Sequence, residues 1–122
     1  MNTLAVVITT PPYSPLTATA VNYVETALEA GIKLVGVFFY QDGAMHANEH
    51  ISIATDEYQA IFHWQRLQQK YSVPLHVCAT AAEKRGVILG ELTDEVVNKS
   101  FTVSGLGELV ELTSKASRLV QF

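Results

Sequence analysis

Short apolar runs alternate with amphipathic segments along most of the chain. Residues 4–9, 33–40 and 74–78 are apolar runs rich in β-branched or aromatic residues, which is typical of strands buried in a parallel sheet. Between them, apolar residues recur at helical spacing over residues 16–28 and in a segment that ends near residue 71. Residues 101–103 and 118–122 predict two shorter strands, with a last helix between them. The pattern therefore predicts strands and helices in alternation.

Local signals mark several boundaries of these segments. Ser14 followed by Pro15 predicts the start of the first helix, and Gly31 predicts its end. Asp56 and Gln59 have the spacing of a second helix start. Residues 44–55 show no clear periodicity and are predicted to form a long loop, and residues 91–99 are too polar to assign.

This alternation predicts one α/β domain over residues 1–122, a three-layer α/β/α sandwich with a mainly parallel sheet of about five strands. Right-handed crossovers bring every loop that follows a strand to the same edge of such a sheet. Residues 10–13, residues 42–48, Cys78 and residues 104–107 should therefore meet there. Ligands of open α/β sheets bind at that edge, so it is where we expect the chemistry.

Cys78, the only cysteine in the chain, lies where a strand gives way to a helix signal. Thr80 and Glu83 have the spacing of a capping box, which predicts a helix that begins just after the cysteine. The free amides of a helix start favour a thiolate over a thiol, and Lys84 and Arg85 add positive charge. The arrangement is typical of a nucleophilic cysteine.

The alternative interpretation is that Cys78 is an ordinary core residue, since free cysteine is among the most buried residue types. A C-x-x-C redox pair is excluded because there is no second cysteine. A C-x5-R phosphatase loop is excluded because Arg85 lies seven residues after Cys78. The predicted position at the sheet edge adds to the case for a functional role.

The other candidates at this edge are less specific. Ser104 and the two glycines after it either hold an anion or simply allow a close turn. Tyr13 and Tyr40 follow strands and are expected at the edge. The loop at residues 9–13 has two prolines and no glycine, which argues against a flavin or nucleotide phosphate site. His46, Glu49 and His50 are residue types that can bind a metal ion. A solvated loop is nevertheless the favoured interpretation of this segment, and no metal site is predicted.

Composition and charge narrow the functional classes. Charged residues make up 16% of the chain, against about 25% in a typical domain, so part of the surface is expected to be covered by partners. The net charge is −4 and the basic residues are scattered, which argues against direct binding to nucleic acid. No apolar run has the length of a membrane span, and no signal peptide is recognised. A single cysteine fits the reducing cytoplasm.

Three segments resemble the DsrE/TusD family of sulfur-relay proteins, and its TusD branch most closely. They are FFYQDG at residues 38–43, VCATAAEKRG at residues 77–86 and FTVSGLGEL at residues 101–109. The final RLVQF also resembles the TusD branch, and the similarity runs in the same order over nearly the whole chain. The resemblance implies a DsrE-like fold of flavodoxin-like architecture.

For function, the resemblance implies a sulfurtransferase subunit in which Cys78 carries sulfane sulfur as a persulfide. It implies TusB-like and TusC-like partner subunits, a donor of the TusA type, an acceptor of the TusE type, and thiolation of the wobble uridine of tRNA. No cofactor is implied. Thr80, Lys84, Arg85, Tyr13, Tyr40 and Ser104 are candidate supporting residues. A DsrE-type role in sulfur oxidation, a structural subunit with an inert cysteine, and a redox sensor remain alternatives.

Overall fold

The computed structural model describes residues 2–122 and contains strands and helices in alternation. In chain order, the elements are β1 (Thr3–Ile8), α1 (Leu16–Glu29), β2 (Lys33–Phe39), a first 3-10 helix (Gln41–Ala47), α2 (Ala60–Tyr71), β3 (Leu75–Cys78), α3 (Ala79–Lys84), a second 3-10 helix (Gly90–Leu92), α4 (Thr93–Val96), β4 (Thr102–Ser104), α5 (Leu106–Lys115) and β5 (Arg118–Gln121).

The part of the chain that the structure describes forms one five-stranded sheet in the order β4-β3-β2-β1-β5, with every pairing parallel. The connections from β1 to β4 all step in the same direction, so right-handed crossovers put α1, α2 and α3 on one face. The last connection returns across the sheet to β5, which puts α5 on the opposite face. The predicted α/β sandwich with a parallel sheet is confirmed.

The two faces of the sheet are covered unequally. On the first face, α1 and α2 pack against each other and against the strands, and α1 buries five of its residues. On the opposite face, Leu112 is the only buried residue of α5. This helix comes close to the sheet at Gly36, where an added Cβ would lie 3.0 Å from Leu112 Cδ2. In the part of the chain that the structure describes, α5 is therefore the one helix that the crossovers put on this face.

Several predicted boundaries agree with the structure. Ser14 Oγ accepts the backbone N–H of Leu16 at 3.2 Å, although α1 begins at Leu16 and not at Pro15. Gly31 follows the end of α1 with φ +82°, a left-handed conformation that glycine adopts without strain. The predicted start of α2 is also close, since the helix begins at Ala60. The Gln59 side chain does not cap that helix, however, and donates to the carbonyl oxygens of residues 53, 54 and 57.

The prediction of a loop over residues 44–55 is wrong for its first part, because the first 3-10 helix extends to Ala47. A tertiary contact holds this helix against the end of β1. The backbone N–H of Tyr40 donates to Ile8 O at 2.8 Å, and a Cβ added to Gly43 would lie 1.9 Å from that same oxygen. Only glycine allows this approach, so the backbone path depends on β1 and not on local periodicity. Among residues 2–122, no helix is long and apolar enough to cross a membrane.

Candidate functional site

Cys78 is the last residue of β3 and immediately precedes α3, so it lies at the carboxyl edge of the sheet. Its backbone is extended, with φ −65° and ψ 122°, and it occupies the N-cap position of the helix. The strand thus passes directly into the helix at the cysteine. This is the strand-to-helix turn expected from the sequence.

The predicted capping box of Thr80 and Glu83 is wrong. Because α3 begins at Ala79, Thr80 lies inside its first turn and cannot be the N-cap residue. The strand backbone itself supplies the extended N-cap residue, Cys78, and no side chain caps the helix in the part of the chain described here. Thr80 nevertheless remains close to the cysteine.

Cys78 is only 1% exposed, yet it lines a pocket with a volume of about 230 Å³. The pocket brings Cys78 together with most of the candidate residues from the sequence, and its lining is Tyr40, Gln41, Cys78, Thr80, Ala81, Lys84, Arg85 and Leu106. The residue is thus hidden from the outer surface while it borders an open volume. Cys78 therefore contributes to the pocket wall although almost none of its surface is exposed.

Two cationic side chains lie on the wall of this pocket, and they differ in their partners. Arg85 donates from Nε to Asp42 Oδ1 at 2.9 Å and from Nη1 to the carbonyl oxygen of Ala81 at 3.1 Å, and its Nη2 forms an ion-pair contact with Asp42 Oδ1 at 2.9 Å. Among residues 2–122, Lys84 has no carboxylate within 4.0 Å. Lys84 is therefore the unneutralised cation of the pocket, and Arg85 is held by Asp42.

Asp42 was not among the candidates from the sequence. It lies 43 residues before Arg85 and in a different element, so no local spacing connects the two. The sequence offered two signals for it: its place in residues 42–48, which were expected at the same sheet edge as Cys78, and its occurrence in the FFYQDG segment of the family resemblance.

Ser104 and Tyr13 lie at the same sheet edge but do not line the pocket. Ser104 pairs with Cys78 in the register of β3 and β4, and its hydroxyl hydrogen-bonds with His76 Nδ1 at 2.9 Å. The Glu108 carboxylate is 4.0 Å from the same ring nitrogen. Tyr13 is 61% exposed in the loop after β1. The pocket therefore unites Cys78 with Tyr40, Thr80, Lys84 and Arg85, but not with Ser104 or Tyr13.

His46 is fully buried, so the prediction that it lies in a solvated loop is wrong. Its Nε2–H donates to the carbonyl oxygen of Thr10 at 3.0 Å, and Nδ1 accepts the indole N–H of Trp64 at 3.1 Å. Its ring also packs 5.1 Å from that of Phe39. Burial lowers the pKa of His46 to about 4, partly opposed by the hydrogen bond to Thr10. The imidazole is therefore neutral at pH 7 and ties three segments together.

The two residues considered with His46 as metal ligands also have other partners. His50 Nε2 hydrogen-bonds with the carbonyl oxygen of Glu95 at 2.8 Å, and Glu49 accepts from Asn98 Nδ2 at 2.6 Å. Because both ring nitrogens of His46 are occupied, the three side chains do not form a set of ligands. No group of three metal-binding side chains occurs within residues 2–122.

The structure has other pockets, and their positions relative to the sheet and to Cys78 guide the choice of the candidate site. A pocket of about 240 Å³ shares Tyr40 and Gln41 with the Cys78 pocket and continues beside α5. One of about 290 Å³ lies between Tyr23 and Arg118, at the amino ends of the strands. Parallel sheets bind ligands at their carboxyl ends. We therefore take the Cys78 pocket as the candidate site.

Comparison with known proteins gives three concordant findings. The model of the DsrE/DsrF-like family matches residues 2–122. Two curated relatives named "Sulfurtransferase TusD", from Salmonella arizonae and Salmonella dublin, are 36% and 38% identical over 97% of this chain and 98% of theirs. The crystal structure of the YchN protein from E. coli superposes with a TM-score of 0.77 at 20% identity and covers all of both chains. That last likeness bears on the fold alone.

Proposed function

We propose a function from the premise that this chain belongs to the DsrE/DsrF-like family: it is a sulfurtransferase of a sulfur relay, and Cys78 carries the sulfur as a persulfide. The sulfurtransferase activity follows from the relatives that cover the whole chain. The assignment of the carrier to Cys78 is our own. The observation that carries it is that the single cysteine of the chain lines the pocket at the carboxyl edge of the sheet.

The reaction at Cys78 needs two exchanges of the same kind. The Cys78 thiolate attacks the outer sulfur of a donor persulfide, so that a new S–S bond forms at Cys78 while the donor's S–S bond breaks and its cysteine leaves as a thiolate. An acceptor thiolate then attacks the outer sulfur on Cys78, and Cys78 leaves as a thiolate. Electrons balance in each step without an oxidant, a reductant or a cofactor.

A single cysteine suffices for this chemistry only if both other thiols come from partner proteins. The chain has no second cysteine that could resolve the persulfide into an internal disulfide. Because Cys78 is 1% exposed, a partner thiol must enter the pocket to reach it. The same burial would keep water and unrelated thiols from the bound sulfur.

The pocket supplies polar groups suited to an anionic sulfur. Lys84 offers a cation without a carboxylate partner, and Arg85 adds a second cation on the same wall. The hydroxyls of Thr80 and Tyr40 are hydrogen-bond donors at the pocket. Ser104 and Tyr13 do not line the pocket, so neither is given a direct role in the transfer.

The finer assignment follows the relatives' name. We place this chain, as one domain over residues 1–122, in a cytoplasmic complex with TusB-like and TusC-like subunits. It would receive sulfur from a donor of the TusA type and pass it to an acceptor of the TusE type, for thiolation of the wobble uridine of tRNA. The scattered basic residues and net charge of −4 argue against direct contact with the tRNA.

The test is uptake of sulfur by the assembled complex. Incubated with a persulfide donor, the wild-type chain should gain the mass of one sulfur atom, located at Cys78 by peptide mapping, and pass it to an acceptor thiol. Cys78→Ser should gain nothing. Lys115→Gln, on the far end of α5, serves as the matched control and should behave as wild type. No uptake by wild type with a competent donor and the partner subunits present would overturn the proposal.

A second candidate function is a structural subunit with an inert cysteine, and the burial of Cys78 favours it. The two are separated by a small thiol reagent applied to the native assembly. Reaction of Cys78 at a rate well above that of global unfolding supports the sulfur carrier. Reaction only after unfolding supports the structural subunit.

A further inference from the structure

The ion pair between Asp42 and Arg85 joins two of the segments that line the Cys78 pocket, although Asp42 itself is not a lining residue. Asp42 belongs to the first 3-10 helix, which follows β2, and Arg85 directly follows α3. The Asp42 side chain is 59% exposed and that of Arg85 is 26% exposed. Ion pairs as exposed as this one contribute little to folding stability. Its position at the pocket suggests a different use.

The geometry holds the guanidinium in one orientation. Arg85 Nε donates to Asp42 Oδ1, Nη2 forms an ion-pair contact with the same oxygen, and Nη1 donates to the carbonyl oxygen of Ala81. A guanidinium is planar and has five N–H donors, of which these hydrogen bonds use two. Ala81 O keeps Arg85 near its own helix, and Asp42 keeps it from swinging into solvent. Three N–H groups remain for an acceptor from outside this set.

We propose that Asp42 is a positioning residue for the sulfur-transfer site. It holds the Arg85 guanidinium on the pocket wall, and the pocket therefore favours anionic sulfur compounds over cationic ones of the same size. The proposal rests on the proposed function for the identity of the natural donor, which is an anionic persulfide. The preference for anions is measurable without any relay partner.

Asp42 could affect the preference of the pocket for anions in two ways, and they change that preference in opposite directions. If Asp42 acted only through its own negative charge, its removal would make the pocket more positive and strengthen the preference for anions. If Asp42 positions Arg85, its removal frees the guanidinium and weakens that preference. Asparagine keeps an oxygen that can accept the hydrogen bond from Arg85 Nε–H. Asp42→Asn should therefore preserve the preference that Asp42→Ala loses.

The experiment uses an anionic and a cationic alkyl methanethiosulfonate of similar size on the full-length chain at low ionic strength. Cys78 attacks the reagent, forms a mixed disulfide and releases methanesulfinate. The ratio of the two rate constants should fall about fivefold in Asp42→Ala. It should stay at or above the wild-type value in Asp42→Asn and fall in Arg85→Ala. The same Asp42→Ala change made in the Arg85→Ala background should cause no further fall.

The matched control is Glu111→Gln, which removes the carboxylate of the exposed pair with Lys115 on α5. It should leave the ratio unchanged, and all variants should keep the wild-type circular dichroism spectrum. A higher or unchanged ratio in Asp42→Ala would overturn the proposal, as would an equal fall in the Arg85→Ala background. If wild type accepts no sulfur from a donor while Asp42→Ala still lowers the ratio, the proposed function fails and the positioning role stands.

Discussion

Cys78 and His46 are two reactive side chains that are buried at the same edge of the sheet, yet their surroundings differ. His46 is 0% exposed and Cys78 is 1% exposed. Both ring nitrogens of His46 are hydrogen-bonded inside the protein, and the ring packs against Phe39 and Trp64. Cys78, in contrast, borders an open pocket with cations on its wall.

The comparison teaches that burial alone does not separate a structural residue from a functional one. A buried polar group whose hydrogen bonds are all satisfied holds the fold in one arrangement and has no capacity left for a ligand. A buried nucleophile beside an open volume is protected and can still be reached. This contrast supports a structural role for His46 and agrees with the proposal that Cys78 is the reactive residue.

The sharpest test of this difference is chemical reactivity in the native state. A small thiol reagent should modify Cys78 without unfolding, whereas diethyl pyrocarbonate should leave His46 unmodified until the chain unfolds. Since only unfolding exposes His46, its native modification should be slower by roughly a thousandfold or more than in urea. Peptide mapping by mass spectrometry distinguishes His46 from the other three histidines. Equal protection of Cys78 and His46 would remove the contrast.

Acid should destabilise the fold through protonation of His46. The folded pKa of His46 is about 4, below its ordinary value of 6.5, because the charged form is desolvated. Between these values the unfolded chain binds a proton that the folded chain does not. The free energy of unfolding is therefore unaffected by this group above pH 6.5. It falls by about 3 kcal/mol as the pH drops from 6.5 toward 4.

Urea unfolding at a series of pH values measures this loss, and His46→Gln, which cannot titrate, is its reference. His63 also has a pKa lowered by burial, so a smaller dependence of the same sign should persist in His46→Gln. An identical pH dependence in both proteins would show that His46 is not the group that titrates.

Trp64→Phe should destabilise the fold without affecting the sulfur site. The change leaves His46 Nδ1 as a buried acceptor without a donor, which costs about 2 kcal/mol in the free energy of unfolding. Sulfur uptake by Cys78 should stay at the wild-type level. Phe62→Leu, an exposed aromatic on the same helix, is the matched control and should change the stability little. Loss of uptake in folded Trp64→Phe would show that the two regions are coupled.

Ser104→Ala should have the smallest effect. Ser104 pairs in register with Cys78 but bonds to His76, whose side chain is 14% exposed and can take water as a replacement partner. We expect a loss of about 1 kcal/mol or less and unchanged sulfur uptake. The measurements are urea unfolding and intact mass after incubation with the donor. A marked fall in uptake would show that Ser104 acts on Cys78 through His76.

Periodicity predicted the five strands and the helices α1, α2 and α5 in their order, because each strand and each amphipathic helix must present an apolar face to one core, but it missed the two 3-10 helices and α4. It also placed Cys78 at a strand-to-helix turn, and the chirality of crossovers placed that turn at the edge of the sheet. These properties depend on residues close in sequence or on general rules of connection. They are the parts of the fold that a single sequence specifies directly.

Long-range contacts decided the rest. The first 3-10 helix follows a path set by the approach of Gly43 to Ile8 O, and that path carries His46 into the core. The same path brings Asp42 to Arg85 across 43 residues of sequence. Such contacts have no periodicity, because they form only when elements already folded meet in space. The sequence determined where Cys78 would lie, and the tertiary structure decided that it borders a pocket and which charges surround it.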